Sequence, residues 1–160
     1  MGKKKDKKEK EIKPFSEKKQ AQYERVARLQ YGAEIVNQSV KLWNSYGKSK
    51  QEEIMEEGGK NYRAIVKAME ARAQPSDPEV QKHLKRWHEH MHYFYEPTLE
   101  ILRGLGEAYF ADPEFNAFFT KIHPALPEFL SQGIAFYVDD LESAEIALLL
   151  AEDESKRLTG

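Results

Sequence analysis

The sequence predicts an all-α domain, and three observations carry that prediction. Apolar residues recur at intervals of three and four in segment after segment, as they do on the buried face of a helix. No segment alternates apolar and polar residues in the way that a half-buried strand does. Prolines and capping residues stand between the apolar segments, where helices begin and end. The 160 residues suit one domain, and we expect seven or eight helices.

A basic tail precedes the first predicted helices. Residues 1–14 carry seven lysines and too few apolar side chains to repay the entropy of ordering, so we expect a disordered tail. A first helix is predicted from Ser16 to Gly32. A second carries Val36 and Trp43 on one face and ends at Tyr46-Gly47.

The third predicted helix begins at a capping box, Ser49-Lys50-Gln51-Glu52, and runs to about Arg72. In a capping box the serine accepts a hydrogen bond from the third helical amide, and the glutamate side chain returns to the serine amide. The pair Gly58-Gly59 lies in the middle of this helix, where each glycine costs about 1 kcal/mol relative to alanine. The pair indicates either a close approach of two backbones or a bend.

The second half of the chain marks its helix starts clearly. The loop from Gln74 to Asp77 leads into Pro78 as the first helical residue, with Asp77 as its cap. This helix is expected to break at Phe94-Tyr95-Glu96-Pro97-Thr98. Further helices are predicted from Leu99, from Asp112-Pro113, after His123-Pro124 and from Ser143-Ala144-Glu145, the last with Ile146, Leu149 and Leu150 facing inward.

Charge is segregated along the chain although the net charge is only −2. Residues 1–13 have a balance of +4, and seven acidic residues lie between Asp139 and Glu154 without an intervening lysine or arginine. An acidic body repels phosphate backbones, so we expect no direct DNA binding beyond weak contacts of the tail. No apolar run approaches the roughly 20 residues that cross a bilayer. We therefore expect a cytoplasmic protein with no membrane contact and no cofactor.

One segment matches a metalloprotease signature. His88-Glu89-His90-Met91-His92 satisfies H-E-x-x-H, in which two histidines one turn apart bind zinc and the glutamate activates a water. The helix is expected to end just after His92, however, and no strands are predicted that could hold an extended peptide. A third histidine also makes the match easier to reach by chance. We therefore expect no metal and no catalytic residue, and a zinc hydrolase that uses His88, Glu89 and His92 stays a minor alternative.

Aromatic residues are concentrated in one stretch. Nine of the eighteen aromatic residues lie between Trp87 and Phe119. Composition alone leaves open whether these rings only fill a core or also line a pocket for an apolar ligand. A groove that contains methionines is also typical of proteins that bind an amphipathic partner helix.

A series of short motifs stands in a fixed order along the chain. The most specific block is Leu105-Gly106-Glu107-Ala108-Tyr109, followed by Asp112-Pro113 and Phe115, and it comes after a histidine-rich segment that runs into Phe94 to Thr98. Further pieces are Tyr23-Glu24, Gln30-Tyr31-Gly32, Ser39, Ser49 to Glu52, Pro124-Ala125-Leu126, Phe129-Leu130 and Ile134 to Tyr137. In their order and spacing these motifs resemble the TipAS family, the antibiotic-recognition domain usually found behind a MerR-type DNA-binding module.

The resemblance implies a globin-like domain over residues 15–142, followed by a C-terminal helical extension at 143–160. It implies a deep cleft for large apolar antibiotics such as thiopeptides, and early helices that become ordered when ligand binds. Nothing before Tyr23 matches a winged helix, so we expect a free-standing domain, with any DNA-binding regulator a separate protein. Some members capture ligand through a cysteine near the position of Pro97. This chain has no cysteine, so binding is expected to be non-covalent.

Helical faces give the predicted ligand site. Aromatic rings and a methionine would supply apolar area, and two histidines would orient polar groups of the ligand. The predicted residues are Trp43, Trp87, His88, Met91, His92, Tyr95, Tyr109 and Phe119. The expected function is non-enzymatic binding of a bulky hydrophobic molecule, for drug sensing or sequestration in transcriptional regulation or resistance. The alternative is an interaction module that takes a partner helix in the same groove.

Overall fold

The computed structural model describes residues 33–159. These residues form six α-helices and no strand, which confirms the all-α prediction. The predicted tail and the helix from Ser16 to Gly32 lie outside the described residues. The helices are α1 (Ala33–Ser45), α2 (Lys48–Glu70), α3 (Pro78–Met91), α4 (Leu99–Ala111), α5 (Pro113–Ile122) and α6 (Leu126–Thr159).

Side-chain caps and prolines fix the starts of the middle helices. The Asp112 carboxylate accepts hydrogen bonds from the amides of Glu114 and Phe115, at 3.1 and 3.0 Å, and so caps α5 as the sequence predicts. The Thr98 hydroxyl caps α4 in the same way. Asp77 is the N-cap of α3 with Pro78 next, but its carboxylate accepts from the Gln74 amide at 2.8 Å. Asp77 therefore fixes the preceding loop and leaves the first turn of α3 uncapped by a side chain.

One predicted helix start is wrong. Helix α2 begins at Lys48 with Gly47 as its N-cap, so Ser49 lies inside the first turn and the predicted capping box does not form. Gln51 instead donates from its side-chain amide to the Trp43 carbonyl at 2.8 Å and ties α2 to α1. Helix α3 ends at Met91 with His92 as its C-cap, close to the expected end, because the amides after it turn back to the carbonyls of the last turn.

The glycine pair in α2 makes room for a side chain. Helix α2 runs unbroken through Gly58 and Gly59, and the His90 ring of α3 lies over Gly58. A Cβ at Gly58 would stand 3.1 Å from Cε1 of that ring. His90 also lies 2.7 Å, through Nε2, from the Ile54 carbonyl. At Gly58 the space is therefore taken by a histidine ring and not by a second backbone.

Helix α6 is the central support of the core. It runs in the same direction as α3, because Leu84 meets Gly133 and His88 meets Tyr137 further along both helices. It runs opposite to α4, because Gly106 lies against Ile134 while the earlier Arg103 pairs with the later Asp139. The largest side chains that these contacts bury completely are Trp87, Phe119, Ile54, Ile65, Leu84, Leu102, Leu126, Leu130, Ile134, Val80 and Val138.

The end of α6 leaves the core without breaking the helix. The separate helix predicted from Ser143 is wrong, because α6 is continuous over 34 residues. Arg103, near the start of α4, pairs with Glu142, and every described residue beyond Glu142 is exposed. Since none of residues 143–159 is buried, the three residues predicted to face inward are exposed instead: Ile146 by 57%, Leu149 by 57% and Leu150 by 65%. We call residues 143–159 the arm.

Candidate functional site

Four of the eight predicted ligand residues lie inside the core. Trp87, Tyr109 and Phe119 are at most 4% exposed, and Met91 is 8% exposed. The Trp87 indole donates from Nε1 to the Tyr109 hydroxyl at 3.2 Å, and the Tyr109 and Phe119 rings are 4.6 Å apart. These side chains therefore contact one another in a closed arrangement, and their role as ligand contacts stays a prediction.

Tyr62 is a member of this buried group that the site prediction missed. Its ring meets the edge of Phe119 at 5.1 Å. Burial, and after it the neighbouring Tyr109, raises the pKa of the Tyr62 hydroxyl well above its usual value. The helical face of α2 placed Tyr62 inward, but no sequence signal shows that it meets residues of α4 and α5. Tyr95, also predicted, is half-buried, and its hydroxyl lies 3.9 Å from the Met91 sulfur.

The two predicted histidines lie together on one face of α3. Their rings stack with centroids 5.8 Å apart, and His88 Nδ1 is 2.8 Å from the Tyr137 hydroxyl. Burial, followed by the charge of His92, lowers the pKa of His88. Burial also raises the pKa of Tyr137 to about 12. His88 and Tyr137 therefore form a neutral hydrogen-bonded pair near pH 7, while His92 is half-exposed, with Nδ1 3.8 Å from Glu96.

The surroundings of His88 and His92 bear on the zinc-hydrolase alternative. Nδ1 of His88 is engaged by Tyr137, and Nε2 remains for another partner, as it does in a histidine that binds a metal. His92 stands after the last residue of α3, as its C-cap. In the stretch from Ala33 to Thr159, no three metal-ligating side chains come together in a way that could hold an ion.

A second group of rings lies outside the core, where α1 meets the end of α3. Trp43 lies against Phe94 with centroids 5.7 Å apart, and Tyr46 meets the edge of Tyr93 at 6.2 Å. The His90 ring contacts Tyr93 at 5.4 Å and Phe94 at 5.7 Å. All five side chains are half-buried. We call Trp43, Tyr46, His90, Tyr93 and Phe94 the ring surface.

Only Trp43 of the ring surface was among the predicted site residues. The signal that could have found the others is their position at helix ends, since Tyr46 follows α1 and Tyr93-Phe94 follow α3. Aromatic residues just beyond a helix cannot be assigned to a helical face, so the spacing rule used for the prediction passes over them.

Within the described part of the chain, helix α1 is held mainly through this ring surface. The Tyr46 hydroxyl donates to the Tyr93 carbonyl at 2.7 Å, and Gln51 bonds the Trp43 carbonyl. Among residues 34–45, only Val36 is buried. Helix α1 can therefore move at a small cost in buried apolar area, and its movement would expose one face of each ring.

The described helices do not include a membrane span. Within residues 33–159, none combines the length and the apolar character that crossing a bilayer requires.

Comparisons with known proteins agree with this fold. The structure superimposes with a TM-score of 0.70 on TipAS from a thiopeptide antibiotic multidrug resistance system of Streptomyces lividans, solved in complex with nosiheptide. The match covers 84% of this chain and 92% of that chain at 22% sequence identity, so it shows a shared fold.

Sequence comparisons identify relatives and a family. The chain is 32% identical over 133 residues to the HTH-type transcriptional activator mta of Bacillus subtilis strain 168. That match covers 82% of this chain and 51% of the activator, so the chain spans about half the length of this relative. The model of the TipAS antibiotic-recognition domain matches residues 23–137, which is most of the chain. The chain therefore belongs to the TipAS antibiotic-recognition domain family.

Proposed function

We propose that this protein binds a bulky, largely hydrophobic antibiotic without covalent chemistry and without catalysis, and that the ring surface is its principal contact. Family membership supports the ligand class, as does the fold shared with a TipAS domain that binds nosiheptide. The absence of cysteine from the sequence supports reversible binding, because the chain offers no thiol that could add to a dehydroamino acid of the ligand.

The observation that carries the proposal is the position of the ring surface. A ring that only fills a core is buried on all sides, as Trp87 is at 1% exposure. Trp43 contacts Phe94, and the His90 ring contacts both Tyr93 and Phe94. These rings nevertheless remain half-buried, at the junction of α1 with the end of α3. Half-exposed aromatic faces bind flat or amphipathic ligands through contact area at a low cost in side-chain entropy.

Polar groups at the edge of the ring surface would orient the ligand. The Tyr93 hydroxyl donates to Glu57 at 3.2 Å, and Lys50 stands over the Tyr93 ring at 5.4 Å. The half-exposed His92 ring and the half-buried Tyr95 follow on the same turn. A ligand with amide or heterocyclic nitrogen atoms can exchange hydrogen bonds with these groups while its apolar area covers the rings.

The biological setting that we infer is drug sensing or sequestration in the cytoplasm. The relative in Bacillus subtilis is a transcriptional activator and is about twice as long as the matched region, so this chain corresponds to only part of it. Occupancy of the ring surface would then serve either to change a regulator or to lower the free concentration of the antibiotic.

Titration with nosiheptide, followed by tryptophan fluorescence, tests the proposal. Each tryptophan reports a different place, and each can be isolated by replacing the other. In Trp87→Phe the remaining Trp43 is half-buried on the ring surface, and its emission should change saturably with ligand. In Trp43→Phe the remaining Trp87 is inside the core, and its emission should change little.

A matched pair of truncations separates the ring surface from general effects. Trp43→Ala should weaken nosiheptide binding at least tenfold, as expected when an aromatic contact worth about 1.5 kcal/mol or more is lost. Phe110→Ala removes a ring that is 48% exposed at the far end of α4, and it should leave affinity unchanged. Equal affinity of the two variants, or no binding of nosiheptide to the intact chain by calorimetry, would contradict the proposal.

A further inference from the structure

The arm carries an apolar belt that nothing in the described part of the chain covers. Ile146, Leu148, Leu149 and Leu150 are between 57% and 65% exposed and cover more than half of the helix circumference, with Ala147 and Ala151 on the remaining side. A helix that is apolar on all sides is normally buried against other chain segments. Contiguous exposed patches of this kind mark surfaces that bind another protein segment.

Acidic residues enclose this belt on both sides. Glu142 and Glu145 precede it, and Glu152, Asp153 and Glu154 follow it. Any segment that covers the belt must therefore tolerate or neutralise a negative field. A second copy of the arm would bring these carboxylates against their equivalents, which opposes pairing of two arms.

A segment with the opposite charge exists in the same chain. Residues 3–13 contain seven lysines, and they lie among the 32 residues that precede α1. Lysine side chains bury their aliphatic stems on apolar surface while the ammonium group stays in contact with water or with a carboxylate. A lysine-rich segment can thus cover leucines and meet the flanking acids at the same time.

The distances allow this contact within one chain. Helix α1 meets the turn after α3 through Trp43 and Tyr46, and the arm leaves the core at the same end, because α6 runs parallel to α3. The length of α1 and of the arm together is about 45 Å at 1.5 Å per residue. The predicted helix from Ser16 to Gly32 spans about 26 Å at 1.5 Å per residue. The thirteen residues from Lys3 to Phe15 add up to about 43 Å when extended, so the lysine-rich segment can reach the arm.

We propose that the lysine-rich segment at residues 3–13 docks on the arm of the same chain. Its ammonium groups pair with Glu145 and Glu152 to Glu154, and its aliphatic stems cover Ile146 to Leu150. The contact is independent of the ring surface, so it holds whether or not an antibiotic binds there. High salt or a competing basic helix releases the segment and exposes the arm.

Zero-length carbodiimide cross-linking of the full chain, followed by peptide mass spectrometry, tests this contact. A carbodiimide joins a lysine to a carboxylate only when the two form a direct pair. At low ionic strength and micromolar protein, cross-links should join residues 3–13 to Glu152, Asp153 and Glu154 in the monomeric fraction. The yield should fall steeply when the ionic strength is raised to about 1 M, where the Debye length is about 3 Å.

Two variants separate the charged and apolar contributions. The triple change Glu152→Gln, Asp153→Asn and Glu154→Gln should lower cross-linking at the remaining Glu145 about tenfold, the sum of several weak exposed pairs. The control is the triple change Glu52→Gln, Glu53→Gln and Glu56→Gln on α2, a group of carboxylates that also has lysines nearby in the sequence. This change should leave the yield of cross-links to the arm unaltered. Leu148→Ser with Leu149→Ser should also lower the yield, because the stems lose their apolar contact.

Three results would overturn the proposal. The first is the absence of cross-links to the arm at low ionic strength. The second is an equal yield of cross-links to the α2 glutamates and to the arm. The third is cross-linking confined to a dimeric fraction, which would assign the arm to a second copy.

Discussion

Gly106 is the residue at which the packing of α4 on α6 is closest. A Cβ at this position would stand 2.7 Å from Cγ2 of Ile134, a buried side chain that has no free space to move into. Gly106→Ala should therefore destabilise the protein by about 1–3 kcal/mol through overpacking, seen as a lower midpoint of urea unfolding. Gly47→Ala is the control, since a Cβ at Gly47 meets nothing within 4 Å. Equal midpoints for the two variants would show that α4 and α6 can separate without cost.

His88 makes stability depend on pH. Its folded pKa is lowered, first by burial and then by His92, while Glu89 and Glu96 act in the opposite direction. The unfolded chain therefore binds more protons than the folded chain just below the ordinary histidine pKa of about 6.5. The free energy of unfolding is therefore highest above that pH and decreases as the pH falls further. Burial also lowers the pKa of His83, which adds to the same trend.

Urea unfolding at pH about 7.5 and about 5.5 measures this effect, because the two values lie on either side of the ordinary histidine pKa. The midpoint should be lower at the acidic value. His88→Gln cannot take up the proton, so its midpoint should change less between the two conditions. Two results would rule out this role for His88. One is a urea midpoint that rises on acidification, and the other is a difference between the two midpoints that His88→Gln leaves unaltered.

At the scale of elements, α1 and α2 differ in how firmly they are attached. Helix α2 contributes Ile54 and Ile65, both fully buried, whereas α1 depends on the ring surface. Amide hydrogens of α1 should therefore exchange faster than those of α2, as expected for a segment with few buried contacts. Tyr46→Phe removes the hydrogen bond to the Tyr93 carbonyl and should speed exchange further in α1 alone. Uniform protection of α1 and α2 by mass spectrometry would contradict this.

The arm is an element whose removal should cost the core little. A chain that ends after Glu142 retains the pairing of Arg103 with Asp139 and every buried residue of α6. Its free energy of unfolding should stay within about 1 kcal/mol of the full chain, because only exposed residues are lost. A chain that ends after Phe136 lacks Tyr137 and Val138, two core residues, and should lose several kcal/mol. Similar losses for both truncations would mean that the arm supports the core.

At the scale of the whole molecule, the charge of residues 33–160 should limit any contact with DNA. These residues include 14 basic and 22 acidic side chains. Duplex DNA should therefore bind at most weakly and without sequence preference, through the basic residues before α1. Fluorescence anisotropy with a labelled duplex measures this. Sub-micromolar, sequence-specific binding at about 200 mM salt, where phosphate contacts alone are greatly weakened, would contradict the prediction.

The sequence predicted the fold well because helix starts and apolar faces are local properties. Asp112-Pro113 and Pro78 stand where the structure begins helices. The prediction broke α6 at Ser143 because a serine there resembles an N-cap. The structure continues the helix through Ser143, and local sequence does not show whether a turn will compete with the helix at such a residue. Among the described helices the weak attachment falls on α1, because Asn61 and His90 tie α2 to α3.

The ligand site was harder to predict because it depends on which rings stay outside the core. Trp87 and Trp43 both lie on apolar helical faces, yet Trp87 is fully buried and Trp43 is half-buried. Exposure is decided by how many neighbouring helices cover a face, which is a tertiary property. The histidines are a similar case. His88 and His92 stand one turn apart as predicted, but Tyr137, 49 residues beyond His88, determines what His88 can bind.

The unbroken course of α6 has a mechanical consequence. The helix is anchored between α3 and α4 and then continues for 17 further residues as the arm, a length of about 26 Å. A rigid rod that pivots at its anchored end magnifies small rotations at its free end. Tyr137, which meets His88, lies about 33 Å from the end of the helix, so a tilt of about 5° there would carry the tip of the arm through about 3 Å. A slight change of packing angle inside the core thus becomes a displacement at the surface as large as a side-chain contact.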